Sequence, residues 1–257
     1  MRRARCGAGL GDTLYLQGVL RVMSETEQLI AMTDYPDVFS QLPNVTTLPF
    51  YREGVEVVAH YNKRKYSEGT SQWQDCCIAA GISPDTPFKL DWQVQNKSLV
   101  KQLKALGKPI LLVETLRSPM GRTDNFGREL LPDGRLFQRV IDQARDRYAI
   151  VQIGSGKDLF PFKNVDLNLA NRTSVSDLLD AASVCDRMLG YCSFFVPLAE
   201  SLGRPALFIW ASAGLVSGQQ FVRAIRPEKV LHSPDSQYLI DNWRPEAITE
   251  KIDAFLG

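Results

Sequence analysis

Short apolar runs alternate with amphipathic helical stretches along most of the 257-residue chain, and this alternation constrains the fold more than any other feature. The clearest strand is PILLVET at residues 109–115, a continuous apolar run typical of a strand buried on both faces of a parallel sheet. The runs AIVQI at 149–153 and ALFIW at 206–210 have the same character. Because helical stretches separate these strands, the sequence predicts successive βαβ units and an α/β fold.

A break at Gly107-Lys108-Pro109 separates two parts of the chain. A polar helical stretch at 96–106 precedes the break, and the long apolar strands follow it. We therefore expect two successive α/β units, residues 1–105 and 106–257. A helix at 249–256 ends the chain, either within the second unit or packed back on the first.

Composition excludes several classes of protein. The formal net charge is +1, from 30 basic and 29 acidic residues, which gives no overall attraction to nucleic acid or to a membrane surface. The five cysteines include no CxxC pair, which favours reduced thiols in the cytoplasm over a disulfide framework or a zinc site. The two histidines, His60 and His232, are far apart, so we expect no metal site. No apolar run is long enough for a membrane span.

A glycine-rich segment, CGAGLGD at 6–12, precedes the first predicted helix, which begins at Leu14. Such a turn presents backbone N–H groups and the positive end of a helix dipole, which favour an anion. The spacing is not GxGxxG and no apolar strand precedes it, so a dinucleotide fingerprint is not predicted. Asp12 is expected either to cap the helix or to take a proton from an incoming hydroxyl, and the two roles are compatible.

Two loops after predicted strands carry groups suited to phosphate. The first contains Arg117, Arg122 and Arg128, whose guanidinium groups can each bind two oxygens, although solvated loop charge is the alternative. The second contains Gly154, Ser155, Gly156 and Lys157, which offer free amides and a hydroxyl without the spacing of a P-loop.

The segment from 169 to 210 contains three further candidates. Ser174 is expected near the start of a helix, where Ser174 or Ser176 would cap it. Ser193 lies in a turn after a short strand at 187–190. Glu200 lies inside the following helix, where its carboxylate would hold a ribose diol or would be surface charge.

Three motifs together resemble glycosyltransferase family 9, the heptosyltransferase-like group. They are GLGD at 9–12, TSVSDL at 173–178, and a helix followed by GRP and a strand at 197–210. The family's Asp-[ST]-Gly-x-x-His motif corresponds to CSFFVP at 192–197, where only the hydroxyl of Ser193 is kept. The length is similar to that of a compact, phage-type member.

This resemblance implies a GT-B-like fold, in which two Rossmann-like lobes with parallel sheets face an inter-lobe cleft. It implies a metal-independent, inverting transfer of a sugar from a nucleotide-diphosphate donor, with no further cofactor. Asp12 would be the base, and Gly9 and Gly11 would shape the acceptor side. His60, at the end of an apolar strand, is expected either to be a strand-end residue or to lie in the cleft on the acceptor side. The donor side would comprise Arg117, Arg122, Arg128, Gly154, Ser155, Gly156, Lys157, Ser174, Ser193 and Glu200.

Two other functions remain open. The first is a non-catalytic protein that binds a nucleotide or nucleotide-sugar, because the family's Asp and His are replaced near Cys192. The second is a phage glycosyltransferase that modifies DNA, with the basic residues 63–65 on phosphate. The acceptor would be a glycan or a hydroxylated nucleobase.

Overall fold

The computed structural model describes residues 1–51, 53–61, 70–116, 132–212 and 227–257. The N-terminal lobe contains a four-stranded parallel sheet in the order β3-β2-β1-β4. Its strands are β1 (Arg2–Arg5), β2 (Leu29–Met32), β3 (Val45–Leu48) and β4 (Val57–Val58).

The C-terminal lobe contains a six-stranded parallel sheet in the order β10-β9-β8-β5-β6-β7. Its strands are β5 (Ile110–Glu114), β6 (Ala149–Ile153), β7 (Leu167–Asn168), β8 (Arg187–Tyr191), β9 (Ala206–Trp210) and β10 (Ser236–Ile240). Numbered within this lobe, the order is 3-2-1-4-5-6, which is that of the dinucleotide-binding Rossmann fold. The predicted α/β fold with two Rossmann-like lobes is confirmed.

Helices lie between or after these strands, and several of them begin at a side chain that caps the helix. They are α1 (Leu10–Met23), a 3-10 turn (Pro36–Phe39), α2 (Gln72–Ala80), α3 (Lys97–Lys104), α4 (Gly134–Ala144), α5 (Val175–Val184), α6 (Phe195–Leu202), α7 (Pro227–Val230) and α8 (Pro245–Leu256). Ser71 caps α2 by accepting from Gln74 N, and Asp133 caps α4 by accepting from Arg135 N. No helix in the described ranges has both the length and the apolar character to cross a bilayer.

A strand, β1, precedes the glycine-rich turn, although it is not the apolar strand for which the sequence was searched. Its sequence is RRAR, and only Ala4 is fully buried. It lies between two partners, with Ala4 in register with Ala31 of β2 and with Val57 of β4. Backbone pairing on both edges stabilises a strand whose side chains carry no apolar signal, so a search for apolar runs does not find it.

The two lobes share one apolar core, in which α1 packs on α6. The segment between the lobes is fixed to α5 by Asp180, which is fully buried. Its carboxylate accepts from Trp92 Nε1 at 2.7 Å, from Gln95 N at 3.0 Å and from Asn96 N at 2.5 Å. The packing of α5 is therefore tied to the path of the linker.

The last helix, α8, packs on the C-terminal sheet. Ile248, Ile252 and Phe255 are buried in a second core with Leu111 of β5 and Leu239 of β10. The helix therefore covers one face of the second lobe's sheet.

Candidate functional site

The glycine-rich turn and the turn after β8 meet where the two lobes touch. A Cβ atom on Gly11 would lie 3.3 Å from Phe194 Cα and 3.5 Å from Pro197 Cγ. Each turn follows the carboxyl end of a parallel strand, which is where ligands bind in open α/β sheets. We call residues 7–12 and 191–197 together the inter-lobe junction.

The glycine-rich turn closes around the carboxylate of Asp12. A Cβ atom on Gly7 would lie 2.1 Å from Asp12 Oδ2, so a side chain there would occupy the carboxylate's position. Gly9 N donates to the same oxygen at 3.3 Å, and Thr13 N donates to Gly9 O at 2.9 Å. Gly9 is the residue that flanks the helix, and Asp12 lies three residues into it. The carboxylate therefore reaches back to the helix start instead of capping it from the first position.

Asp12 is half-buried and has a thiol and an imidazole beside it. One ligating atom from each of Cys6, Asp12 and His60 lies within 4.8 Å of the others, and Cys6 Sγ is 4.0 Å from Asp12 Oδ1. His60 Nδ1 is 2.6 Å from Tyr61 O. Burial, together with Cys76 and Asp12, raises the pKa of the Cys6 thiol well above its usual value. His60, predicted for the acceptor side, thus lies next to the predicted base.

The pairing of β1 with β4 brings His60 to this position. The register continues beyond the two-residue strand, since Ala59 N donates to Arg5 O at 2.9 Å. Cys6 and His60 therefore follow neighbouring parallel strands at the same edge. The sequence argument against a metal site relied on chain spacing, and it did not include this pairing.

Glu114, at the end of β5, is a buried acid that contacts the junction and was assigned to no site from the sequence. It is 2% exposed, and it accepts from Ser193 Oγ at 2.6 Å and from Tyr191 N at 3.2 Å. Burial raises its pKa to about 8, although both hydrogen bonds act in the opposite direction. The available signal was an acidic residue that ends an otherwise apolar strand.

Ser193 connects this buried acid to the start of α6. Its hydroxyl donates to Glu114 and accepts from Phe195 N at 3.0 Å. The Ser193 hydroxyl, which this chain shares with the family 9 motif, is therefore engaged in hydrogen bonds within the protein. Its effect is to hold the turn that contacts Gly11.

The turn after β6 has the backbone shape that a glycine allows. Gly154 has a φ of 125°, and a Cβ atom there would lie 3.2 Å from Thr115 Cβ. Gly156 N donates to Asn171 Oδ1 at 2.8 Å, and Asn171 Nδ2 donates to Gly156 O at 3.0 Å. The expectation of free amides is thus wrong for Gly156, whose N–H is already bound. Ser155 and Lys157 are exposed in the same turn.

Comparison with solved structures gives the fold of the whole chain. ADP-heptose LPS heptosyltransferase II of E. coli matches with a TM-score of 0.62 at 13% identity, over 100% of this chain and 98% of that chain. A family 9 glycosyl transferase of Veillonella parvula DSM 2008 matches at 0.61 and 13% identity, over 99% and 97%. The chain has the GT-B fold. E. coli heptosyltransferase WaaC with ADP-2-deoxy-2-fluoro heptose, also GT-B, matches at 0.58 and 10% identity, over 99% of each chain.

The similarity of this chain to known proteins is found in the structure and not in the sequence. No family model matches the sequence, and no curated protein matches it at a significant level. In this GT-B chain the inter-lobe junction is one of the places where residues of both lobes meet, and Asp12 lies in it.

Two predicted donor residues, Ser174 and Glu200, lie outside the inter-lobe junction. Ser174 caps α5, since its hydroxyl accepts from Asp177 N at 3.1 Å and donates to Asp177 Oδ2 at 2.9 Å. Glu200 is 6% exposed, so the surface-charge alternative is wrong. It lines a cavity of about 770 Å³ together with Trp73, Phe88 and His232. The lining of that cavity includes neither Ser193 nor the turn at 154–157.

Burial shifts the pKa values of two ionisable groups that line this cavity, Glu200 and His232. It raises the pKa of Glu200 to about 7 and lowers that of His232 to about 4. Glu200 Oε2 accepts from His232 N at 3.1 Å. Arg117, Arg122, Arg128 and the basic residues 63–65 lie outside the described residues.

Proposed function

We propose that this protein is a glycosyltransferase that moves a sugar from a nucleotide-diphosphate donor to an acceptor hydroxyl, with inversion at the anomeric carbon. The observation that carries the proposal is the position of Asp12. Its half-buried carboxylate lies at the carboxyl edge of the first sheet, one residue from the contact between Gly11 and Phe194. A base of the N-terminal lobe is thus held against the lobe that would bind the donor.

The reaction needs one proton acceptor and one stabilised leaving group. The acceptor oxygen forms a bond to the anomeric carbon while the bond to the diphosphate oxygen breaks on the opposite face. The hydroxyl proton passes to Asp12 as the attack proceeds. Gly9 N donates to Oδ2 and the Cys6 thiol lies 4.0 Å from Oδ1 as a weak donor, so contacts on both oxygens hold the carboxylate in place.

The leaving diphosphate gains negative charge in the transition state, and fixed positive groups stabilise it there. We assign this role to Arg122 and Arg128 and to the turn at 154–157 with Lys157. Arg117 belongs to the same group. These cations would replace a divalent metal, which makes the transfer metal-independent.

ADP-heptose is the first donor to test, because two of the similar structures carry ADP or ADP-heptose in their names. We place the activity in the cytoplasm, where the protein's five free cysteines stay reduced. The product that forms will identify the acceptor class, which is a glycan or a hydroxylated nucleobase.

A panel of sugar nucleotides tests the proposal against the non-catalytic alternative. The purified protein is incubated with each donor and with candidate acceptors, and free nucleoside diphosphate is measured over time. The proposal predicts release that depends on protein and acceptor. Thermal stabilisation by a nucleotide without any release would instead identify a binding protein.

A further inference from the structure

Three side chains of different chemistry converge at the edge of the N-terminal sheet. Cys6 follows β1, Asp12 is in the first turn of α1, and His60 follows β4. One ligating atom from each lies within 4.8 Å of the other two. We propose that Cys6, Asp12 and His60 form a zinc site, and that bound Zn²⁺ switches the enzyme off by occupying Asp12.

The donor set is one that zinc prefers. A thiolate, an imidazole nitrogen and a carboxylate oxygen are its usual protein ligands, and iron and copper compete for the same types. In a tetrahedral site with zinc–ligand bonds of about 2.0–2.3 Å, neighbouring ligand atoms lie roughly 3.5 Å apart. Cys6 Sγ and Asp12 Oδ1 are 4.0 Å apart and the pairs with His60 are within 4.8 Å, so side-chain rotation must bring the three atoms closer by roughly 0.5–1.3 Å.

Hydrogen bonds already orient two of the three ligands. A backbone carbonyl can only accept, so His60 Nδ1 carries the proton that is donated to Tyr61 O at 2.6 Å. That leaves Nε2 as a lone-pair donor, the arrangement found around most metal-bound histidines. Asp12 Oδ2 is held by Gly9 N, and Oδ1 faces the Cys6 thiol, so loss of the thiol proton on metal binding frees Oδ1 for the metal.

Access and coordination number fit a regulatory metal. Cys6 is fully buried, whereas Asp12 and His60 are partly exposed, so the metal enters from their side. Three protein ligands leave a fourth position for water. Binding exchanges the proton of the Cys6 thiol for a Cys6–Zn bond, and the proton goes to the buffer.

Zinc would inhibit the enzyme because the Asp12 carboxylate is both the proposed metal ligand and the proposed base. A lone pair of Asp12 that is donated to Zn²⁺ cannot accept the acceptor's proton. This part of the inference rests on the proposed function, whereas metal binding does not. Metal binding and turnover are therefore measured separately.

The binding test is a Co²⁺ titration of the full-length protein, because cobalt bound to a thiolate absorbs in the near ultraviolet. We expect that band in the wild type, its loss in Cys6→Ser, and at least tenfold weaker Co²⁺ binding in His60→Ala. Zn²⁺ added afterwards should abolish the band. Cys185→Ser, which removes a buried thiol of the other lobe, should keep the band and serves as the control.

Two results would overturn the site: no band in the wild type, or an unchanged band in Cys6→Ser. If Cys6→Ser does not fold, an unchanged Co²⁺ affinity in His60→Ala has the same force. The inhibition test adds Zn²⁺ and then a chelator to protein that turns over a donor. Reversible loss of turnover supports the switch, and full activity with zinc bound would contradict it while leaving the metal site intact.

Discussion

At the scale of single residues, the position of Gly7 is explained by the space that the Asp12 carboxylate occupies. The nearest carboxylate oxygen lies 2.1 Å from where a Cβ atom would be. Gly7→Ala should therefore displace the carboxylate and reduce turnover, with a loss of stability below about 1 kcal/mol, because the displaced atoms end a flexible, half-buried side chain. Chemical denaturation and steady-state kinetics measure the two effects.

A double mutant shows whether this contact is the cause. In an Asp12→Ala background the oxygen is gone, so Gly7→Ala should cost almost nothing in stability. Additive losses from the two substitutions would show that the glycine is needed for another reason.

The pH dependence of stability reports the state of Glu114. Its folded pKa of about 8 lies above the usual value of 4.5, so the folded protein binds more protons between these limits than the unfolded chain. The stabilisation of the protonated form is complete below the usual value and is lost as pH rises through about 8. Unfolding free energy should fall by up to about 1.4 kcal/mol per pH unit on this account.

Glu114→Gln removes the titration and keeps the shape. The variant's stability should fall less steeply than that of the wild type between pH 5 and pH 8, by up to the slope of one proton. Glu200, with a pKa of about 7, titrates in the same direction in both proteins and cancels in the comparison. Parallel curves would show that Glu114 is ionised when folded.

At the scale of secondary-structure elements, whether an element could be predicted from the sequence depended on the interaction that stabilises it. β6 and β9 were predicted with the bounds that the structure has, because each is an apolar run buried on both faces. β1 was missed because backbone pairing on both sides stabilises it, and β10, with sequence SQYLI, has too mixed a pattern to stand out. Helix starts were found where a serine caps them, as at α5.

The cap of α5 separates a structural role of Ser174 from a role in donor binding. Ser174→Ala removes the hydrogen bond to Asp177 N and should cost about 1 kcal/mol of stability. Ser176→Ala, two residues further along and inside the helix, is the matched control and should cost less stability. If Ser174→Ala instead weakened donor binding with no loss of stability, the hydroxyl would belong to the donor site.

At the scale of the whole molecule, the site is made by contacts between distant parts of the chain. The sequence predicted Asp12 as a candidate and His60 as a possible neighbour of the cleft. It could not place His60 beside Cys6 and Asp12, since that depends on β1 pairing with β4. The role of Glu114 was missed for the same reason, because it depends on Ser193, which follows β8, and β8 is the neighbour of β5 only in the folded sheet.

Asp180 provides a test of how the lobes are held together. Its carboxylate accepts hydrogen bonds from three donors of the linker, so Asp180→Ala leaves buried donors unpaired and should cost about 3 kcal/mol or more. Asp180→Asn keeps one acceptor oxygen and should cost less. Equal denaturation midpoints for wild type and Asp180→Ala would show that the linker contributes little to stability.

The central claim is that a carboxylate of the first lobe activates the acceptor while the second lobe binds the donor. The most direct measurement compares kcat and nucleotide Kd for the wild type and for Asp12→Asn with an identified donor. The account predicts that kcat falls by about 10²–10⁴-fold, as for loss of a general base, with nucleotide Kd unchanged. Normal turnover by Asp12→Asn would contradict it.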